Sequence, residues 1–213
     1  MDKLAKKLAG RFIVIDGPDG AGKSTQLTLL ANWLRDQGVS IVETRDPGGT
    51  AVGDKIRKIL LDTTNSKMTV GCEILLYMAS RTQLMGEVIG PALQRNECVL
   101  CDRWVSATVA YQAAENKAKP AEIMEIYELA LRGIRPDLTV ILDVPAEAGL
   151  SRLTDAPDRM EAKGLGFHQK VRELFLKQAE AEPQAFAVVN ASGSVEQVQD
   201  RLQDIIVNWK PDA

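Results

Sequence analysis

The chain has 213 residues, 45% of them apolar and 26% charged, with a formal net charge of −3. That length suits one core with an insertion or flap, and the ordinary composition excludes a disordered or low-complexity protein. The mild acidity, with a pI near 5.4, argues against a protein whose main partner is duplex nucleic acid or an anionic membrane.

Residues 1 to 10 lack the apolar core of a signal peptide, and the lysines at 3, 6 and 7 read as a frayed, solvated extension. No later run approaches the roughly 20 apolar residues of a membrane span, so the protein is expected in the cytoplasm. The next stretch, Arg11 to Asp16, reads as a strand. It leads into Gly17-Pro18-Asp19-Gly20-Ala21-Gly22-Lys23-Ser24-Thr25 and an amphipathic helix to Gln37. Strand, glycine loop and helix together make a phosphate cradle. The glycines let successive N–H groups point at a polyphosphate, and the helix adds its positive dipole end. Lys23 can then reach the β- and γ-phosphates of a nucleotide, and the Ser24 hydroxyl can ligate magnesium.

A strand from Val39 to Thr44 ends in Arg45-Asp46-Pro47-Gly48-Gly49-Thr50, which either presents backbone amides to a ligand or is a plain strand-to-helix turn. The helix after it, from about Val52 to Leu61, projects Arg57. A long helical region follows from about Val70 to Gln94, interrupted near Gly86 or Gly90. It carries Tyr77 and Arg81 four apart on one face. An aromatic plane beside a guanidinium can stack on a base and bond its carbonyl edge, although the same spacing also fits an ordinary amphipathic helix.

Cys98 to Cys101 reads as a buried strand, where positions three apart face opposite ways, so this C-x-x-C holds neither a metal nor a disulfide. Three cysteines in all fit a reducing compartment. The strand runs into Asp102-Arg103-Trp104. A carboxylate there can hold magnesium opposite Ser24, and Arg103 can neutralise a bound phosphate; a helix cap or simple ion pair is the other reading.

Helices near Val105 to Glu115 and Pro120 to Arg132 precede a strand from Leu138 to Val144. The polar stretch from about Leu153 to Gly166 suits a lid or a surface loop. A helix to Glu180 holds His168, the only histidine, read as solvated, which leaves little for a histidine metal site or a Ser-His-Asp triad. A strand, Phe186 to Asn190, and a helix, Ser194 to about Trp209, close the chain. Five apolar strands alternating with helices imply a parallel sheet covered on both faces, with ligands at the carboxyl ends of its strands.

Together these pieces resemble the thymidylate kinase family of the bacterial kind, from about residue 11 to the carboxyl end. The matching motifs are Gly17 to Thr25, Thr44 to Thr50 with Asp46 in place of Glu, Tyr77 with Arg81, and Asp102-Arg103-Trp104 followed by Thr108, Tyr111 and Gln112. Pro136-Asp137-Leu138-Thr139 before Leu142-Asp143-Val144 completes the set. The resemblance implies a single P-loop domain, three-layer α/β/α, of the nucleoside monophosphate kinase kind, with a five-stranded parallel sheet, a lid at about 153–166 and a homodimeric assembly. It implies transfer of the γ-phosphoryl group of ATP, with Mg2+, to dTMP, giving dTDP.

Carried over residue by residue, the resemblance gives Lys23 and a magnesium at Ser24 and Asp102 to the donor phosphates, and Arg57 and Arg103 to the acceptor phosphate. Tyr77 stacks on thymine, Arg81 bonds a ring carbonyl, and Thr108, Tyr111 and Gln112 line the base and sugar pocket. Asp19, a carboxylate among phosphates, should accept a proton from a sugar hydroxyl or an arginine; in the family this position contacts the deoxyribose 3′-OH. Some relatives place an arginine in the phosphate loop, where this chain has Gly20. The catalytic cation is therefore expected from the lid motif Asp158-Arg159-Met160-Glu161, with Arg159 first and Arg152 second, which makes the catalytic set Lys23, Arg103, Arg159 and Asp19.

The chain departs from the family in a lid poorer in arginine, in Leu84 where a histidine is common and in Asn96 where a glycine is usual. One methyl group discriminates by only about 1–3 kcal/mol, which leaves room for dUMP. Two rivals are another nucleoside or nucleotide kinase of this architecture and a GTP-binding switch. For the latter, the nearest guanine-reading spelling, Asn116-Lys117-Ala118-Lys119, lacks its acid.

Overall fold

The computed structural model describes residues 3–115, 118–153 and 156–211. Asn116 and Lys117, half of the guanine-reading spelling, and Thr154 and Asp155 of the lid stretch lie outside the described residues. The strands are β1 (Phe12–Asp16), β2 (Ile41–Arg45), β3 (Cys98–Asp102), β4 (Leu138–Asp143) and β5 (Phe186–Asn190). They form one parallel sheet in the order β2-β3-β1-β4-β5. β1 is buried at all five positions, as an apolar run with no polar face requires, while the edge strands β2 and β5 are only partly covered.

Alternate residues of each strand feed opposite layers. Ile13, Ile15, Cys98 and Leu100 pack with α2 (Lys23–Asp36) and α10 (Val195–Asn208). Phe12, Val14, Val99 and Cys101 pack under α4 (Val70–Leu84), α6 (Val105–Ala113) and α7 (Pro120–Leu131). Cys98 and Cys101 therefore sit on opposite faces and are free thiols. Ile141 joins a third cluster with α9 (Leu165–Ala181). The expected α/β/α sandwich is the observed one.

Two expectations are corrected. The amino-terminal lysines belong to a docked helix, α1 (Lys3–Leu8), whose Ala5 and Leu8 are buried in the core. Lys7 Nζ donates to the carbonyls of Ile206 and Val207, at 2.9 and 3.0 Å, where a cation meets the negative end of α10. β2 starts at Ile41 instead of Val39, because Gly38 (φ 76°) ends α2 in a left-handed turn and the Val39 amide still bonds Leu34 O.

The helical region past α4 continues through a π turn at Met85–Ile89 into α5 (Gly90–Gln94). That turn, spanning both Gly86 and Gly90, is the interruption the sequence foreshadows.

The chain leaves β1 for β2 on one side and crosses from β3 to β4 on the other, so the carboxyl ends of β1 and β3 flank a topological switch point. The wall beneath it is Trp104, fully buried, edge-on to Phe12 at 5.1 Å and donating from Nε1 to Tyr127 Oη at 2.9 Å. Tyr127 in turn donates to Ile134 O. Tyr127→Phe strands a buried indole N–H and a carbonyl together. It should cost about 1–3 kcal/mol in urea unfolding with an unchanged m value; a variant as stable as the parent would show that the relay does not support the fold.

Candidate active site

Asp16 ends β1 wholly buried, accepting from the Gly17 amide at 2.9 Å and from Ser106 Oγ at 2.6 Å. The loop then turns on glycines for which there is a steric need. A Cβ on Gly17 (φ 136°) would stand 2.5 Å from Leu142 O, and one on Gly20 (φ 70°) would overlap the backbone of Gly149 in α8 (Ala146–Leu150). Gly22, at φ 84°, caps α2. Lys23 lies almost buried under the loop, donating to Pro18 O at 2.7 Å and Gly17 O at 3.1 Å.

The structure brings together the two oxygens expected to share magnesium. Ser24 Oγ donates to Asp102 Oδ2 at 2.7 Å, across the ends of α2 and β3. Hard oxygen donors beside a phosphate loop fit a magnesium ion, which takes one or two carboxylates and fills its shell with water and phosphate oxygens. Among the described residues there is no group of three or more His, Cys, Asp and Glu side chains that could hold a metal.

Arg103 stands between these parts, at φ 69°, a backbone conformation costly for a residue with a side chain. Its amide bonds Ile15 O at 3.0 Å, and its guanidinium pairs with Asp19 Oδ1, lies 3.6 Å from Asp16 Oδ1, donates to Gly17 O and covers the Tyr111 ring at 5.1 Å. Asp19 thus accepts from an arginine, one of the two partners its place among phosphates calls for. Burial by itself would raise the Asp19 carboxyl, but Arg103 and Lys23 hold it below its usual range. Burial also works against the charge of Arg103, and Tyr111, Asp19, Asp16 and Asp102 together hold it protonated beyond its ordinary value.

A cavity of about 400 Å³ opens from the loop toward α4 and α6. It is lined by Arg57, Tyr77, Arg81, Thr108, Tyr111 and Gln112 among others, so every residue expected at the acceptor is brought to one space. Arg57 donates to Pro47 O at 3.0 Å. Arg81 is fully buried, pairing with Asp46 through Nε and Nη2, reaching Thr108 Oγ1 at 3.1 Å and lying over Trp104 at 5.1 Å. Gln112 is buried on the cavity wall with both side-chain amide atoms unbonded among the described residues, a donor and an acceptor left without a protein partner. A second cavity of about 330 Å³ lies on the other side of the loop and shares Gly20, Gly22 and Thr25 with the first.

The two candidate lid arginines take different places. Arg159 does not reach the loop; it pairs with Glu73 on α4, donates to Leu60 O at 2.9 Å and bonds Leu61 O through its amide, while Met160 beside it is buried in the core. Arg152 instead donates to Gly20 O at 3.2 Å and lines the second cavity. His168 is also corrected. It is 1% exposed, with Nε2 3.3 Å from Glu161 O and Nδ1 3.8 Å from Asp19 Oδ2.

Sequence reasoning quoted Asp46 and Trp104 within motifs without giving them a role, and it did not single out Ser106, which no local pattern marks.

A family model described as thymidylate kinase matches residues 15–202. A thymidylate kinase of Geotalea uraniireducens is 43% identical over 198 residues, covering 89% of this chain and 93% of its own. That of Geobacter sulfurreducens is 42% identical over 210 residues, covering 95% and 99%. The crystal structure of thymidylate kinase from Ehrlichia chaffeensis superposes with a TM-score of 0.77 at 27% identity, over 93% of this chain and 99% of that one.

Lys23 makes the loop sensitive to pH. Burial first, and Arg103 second, lower its ammonium from 10.5 to about 8 against the pull of Asp19, Asp102 and Asp16. Folding therefore releases a proton between those two values, and the burden of Lys23 on stability shrinks as pH rises through that window. A polyphosphate laid against the ammonium restores its proton. Calorimetry of ATP–magnesium binding in two buffers of different ionisation enthalpy should show uptake of about half to one proton at about pH 8.5, and none from this group near pH 7. Equal proton counts at both pH values would remove Lys23 from the phosphates.

Proposed function

The chain belongs to the thymidylate kinase family and phosphorylates dTMP to dTDP, and from that premise we propose how its own residues bind, orient and shield the two nucleotides. The observation that carries the reading is the pair of cavities meeting at one phosphate loop, with cations on each side. dTMP occupies the larger cavity and ATP the smaller, so that their phosphates meet end to end over Gly17, Pro18, Asp19, Gly20, Ala21, Gly22, Lys23, Ser24 and Thr25.

Chemistry of this kind is largely positioning and charge neutralisation. The loop amides and Lys23 hold the donor β- and γ-phosphates. Ser24 and Asp102 hold magnesium, which when bound neutralises phosphate charge and helps align the transferring group. Arg57 and Arg103 fix the acceptor phosphate for in-line approach. Asp19 orients Arg103 and accepts from the sugar hydroxyl. Tyr77 stacks on thymine, Thr108 and Gln112 bond its edge and sugar, Tyr111 closes the sugar side, and Arg81 turns its remaining Nη1 hydrogen to a ring carbonyl.

Residues 156–166 act as the lid, excluding water while Met160 and the Arg159–Glu73 pair hold them against the acceptor side. The position of Arg152 over the loop supports it, ahead of Arg159, as the lid cation that stabilises the transferring group. The reading extends to a cytoplasmic homodimer without nucleic-acid or membrane partners, on the family likeness, the net charge of −3 and the finding that no helix among the described residues is long and apolar enough to cross a membrane. The rival kinase and GTP-switch readings gain no support from these comparisons.

Two experiments check this. Initial rates with ATP, magnesium and a panel of dTMP, dUMP, dCMP, AMP and thymidine should favour dTMP, with dUMP next at about tenfold to a hundredfold lower kcat/KM for the missing methyl. Thymidine outperforming its monophosphate would sink the assignment. Arg152→Ala should lower kcat by about 10³-fold or more with the dTMP KM within about threefold of the parent. Arg159→Ala, which only unlatches the lid, should cost clearly less, and the reverse ranking returns the role to Arg159.

A further inference from the structure

His168 is a titratable side chain, 1% exposed, buried against the site and left unused by the mechanism above. Its surroundings define its hydrogens. Nε2 faces the Glu161 carbonyl at 3.3 Å, and a carbonyl only accepts, so the ring must donate from Nε2. Asp19 Oδ2, 3.8 Å from Nδ1, is an acceptor too, so the ring joins the two groups only when Nδ1 also carries a hydrogen. That oxygen is shut off from solvent and has no hydrogen-bond partner among the described residues, whereas Oδ1 of the same carboxylate holds Arg103. Phe167, edge-on to the imidazole at 5.3 Å and to Tyr111 at 6.1 Å, completes an aromatic wall around the ring.

We propose that His168 is a positioning residue for the acceptor phosphate, a strut that ties the lid backbone at Glu161 to the Asp19 carboxylate and through it aims Arg103. The proposal rests on the assignment of Arg103 to the dTMP phosphate made above. The physical need is plain. A carboxylate that meets a guanidinium through one oxygen can pivot about that contact, and a pivot of even an ångström moves the charge that must sit against the acceptor. A ring wedged behind the other oxygen removes the pivot. Because the ring's far nitrogen is bonded to the lid, the aim of Arg103 is set only when the lid is seated.

The test combines kinetics with spectroscopy on the full chain. His168→Phe keeps the ring shape and removes both nitrogens. It should raise the dTMP KM about tenfold or more while the ATP KM changes less than about twofold. His168→Asn sets its amide nitrogen near the place of Nδ1 and should bring the dTMP KM back to within about threefold of the parent. Equal effects on both substrates, or a dTMP KM unchanged in His168→Phe, overturn the proposal.

His168 is the only histidine in the sequence, so 15N-histidine labelling gives a single imidazole whose two nitrogens can be read in the parent protein even if a variant folds poorly. Hydrogens on both nitrogens, with an Nδ1 resonance that moves on Asp19→Asn and on adding dTMP, are the expected result, and an Nδ1 without a hydrogen overturns the proposal. An Nδ1 signal indifferent to both overturns the proposal. Arg103→Ala separates the layers of the argument. If it leaves the dTMP KM unchanged, the phosphate assignment falls and this proposal with it. If it raises that KM while His168→Phe does not, the strut alone fails.

Discussion

The structure depends above all on one guanidinium held among acids where two central strands end. Arg103 leaves β3 in a left-handed backbone conformation and meets Asp16 and Asp19 from the far side of β1. This ties the phosphate loop to the neighbouring strand beyond the point where the ladder between them ends, at Ile15 and Asp102. The energy of such a cluster is delicate. A buried charge deprived of its partner costs on the order of 3–5 kcal/mol, whereas the intact cluster adds little net stability. Its value lies in geometry, because a cation already desolvated and oriented need not reorganise when an anionic substrate arrives.

The base side of the larger cavity repeats the arrangement with different parts. Arg81 is buried completely, its charge met by Asp46 and its face laid on Trp104. Trp104 is in turn fixed by Phe12 and Tyr127. A chain of contacts thus runs from the core of the sheet to Arg81 on the wall of the cavity. Two places on that wall keep buried polar atoms without a hydrogen-bond partner among the described residues, Asp46 Oδ1 and both amide atoms of Gln112, as a wall that meets a polar ring edge would. Discrimination by hydrogen bonding is steeper than discrimination by a methyl group, so on the proposed placement of the base Gln112 would bear more on the choice between pyrimidine and purine acceptors than on that between thymine and uracil.

Much of this was legible in the sequence because short-range rules govern it. The glycine spacing fixed the loop, the alternation of the strands placed Cys98 and Cys101 on opposite faces, and the spacing of Tyr77 and Arg81 set both on one wall. What escaped was decided by tertiary contact. Lys7 looks solvated until the end of α10 arrives with free carbonyls. His168 stands in a polar stretch of helix, yet the lid and the phosphate loop close over it. Arg159 sits in the expected motif, but Glu73, distant in sequence, competes for its charge. No local pattern reports a partner that lies 86 residues away.

The same competition explains why the lid is organised as it is. In a chain with Gly20 in the loop, the Gly149 backbone packs directly against position 20, and a side chain there would be excluded by contact as well as by backbone angle. That close approach brings α8, and Arg152 just beyond it, down onto the loop. The absence of a loop arginine and the presence of a lid arginine are therefore two sides of one steric fact. Arg152, just past α8, lies at the second cavity, while Met160 and the Arg159–Glu73 pair hold the segment after it against the first. On the proposed placement of the nucleotides that segment would face both of them, and seating it against either one would favour seating it against the other.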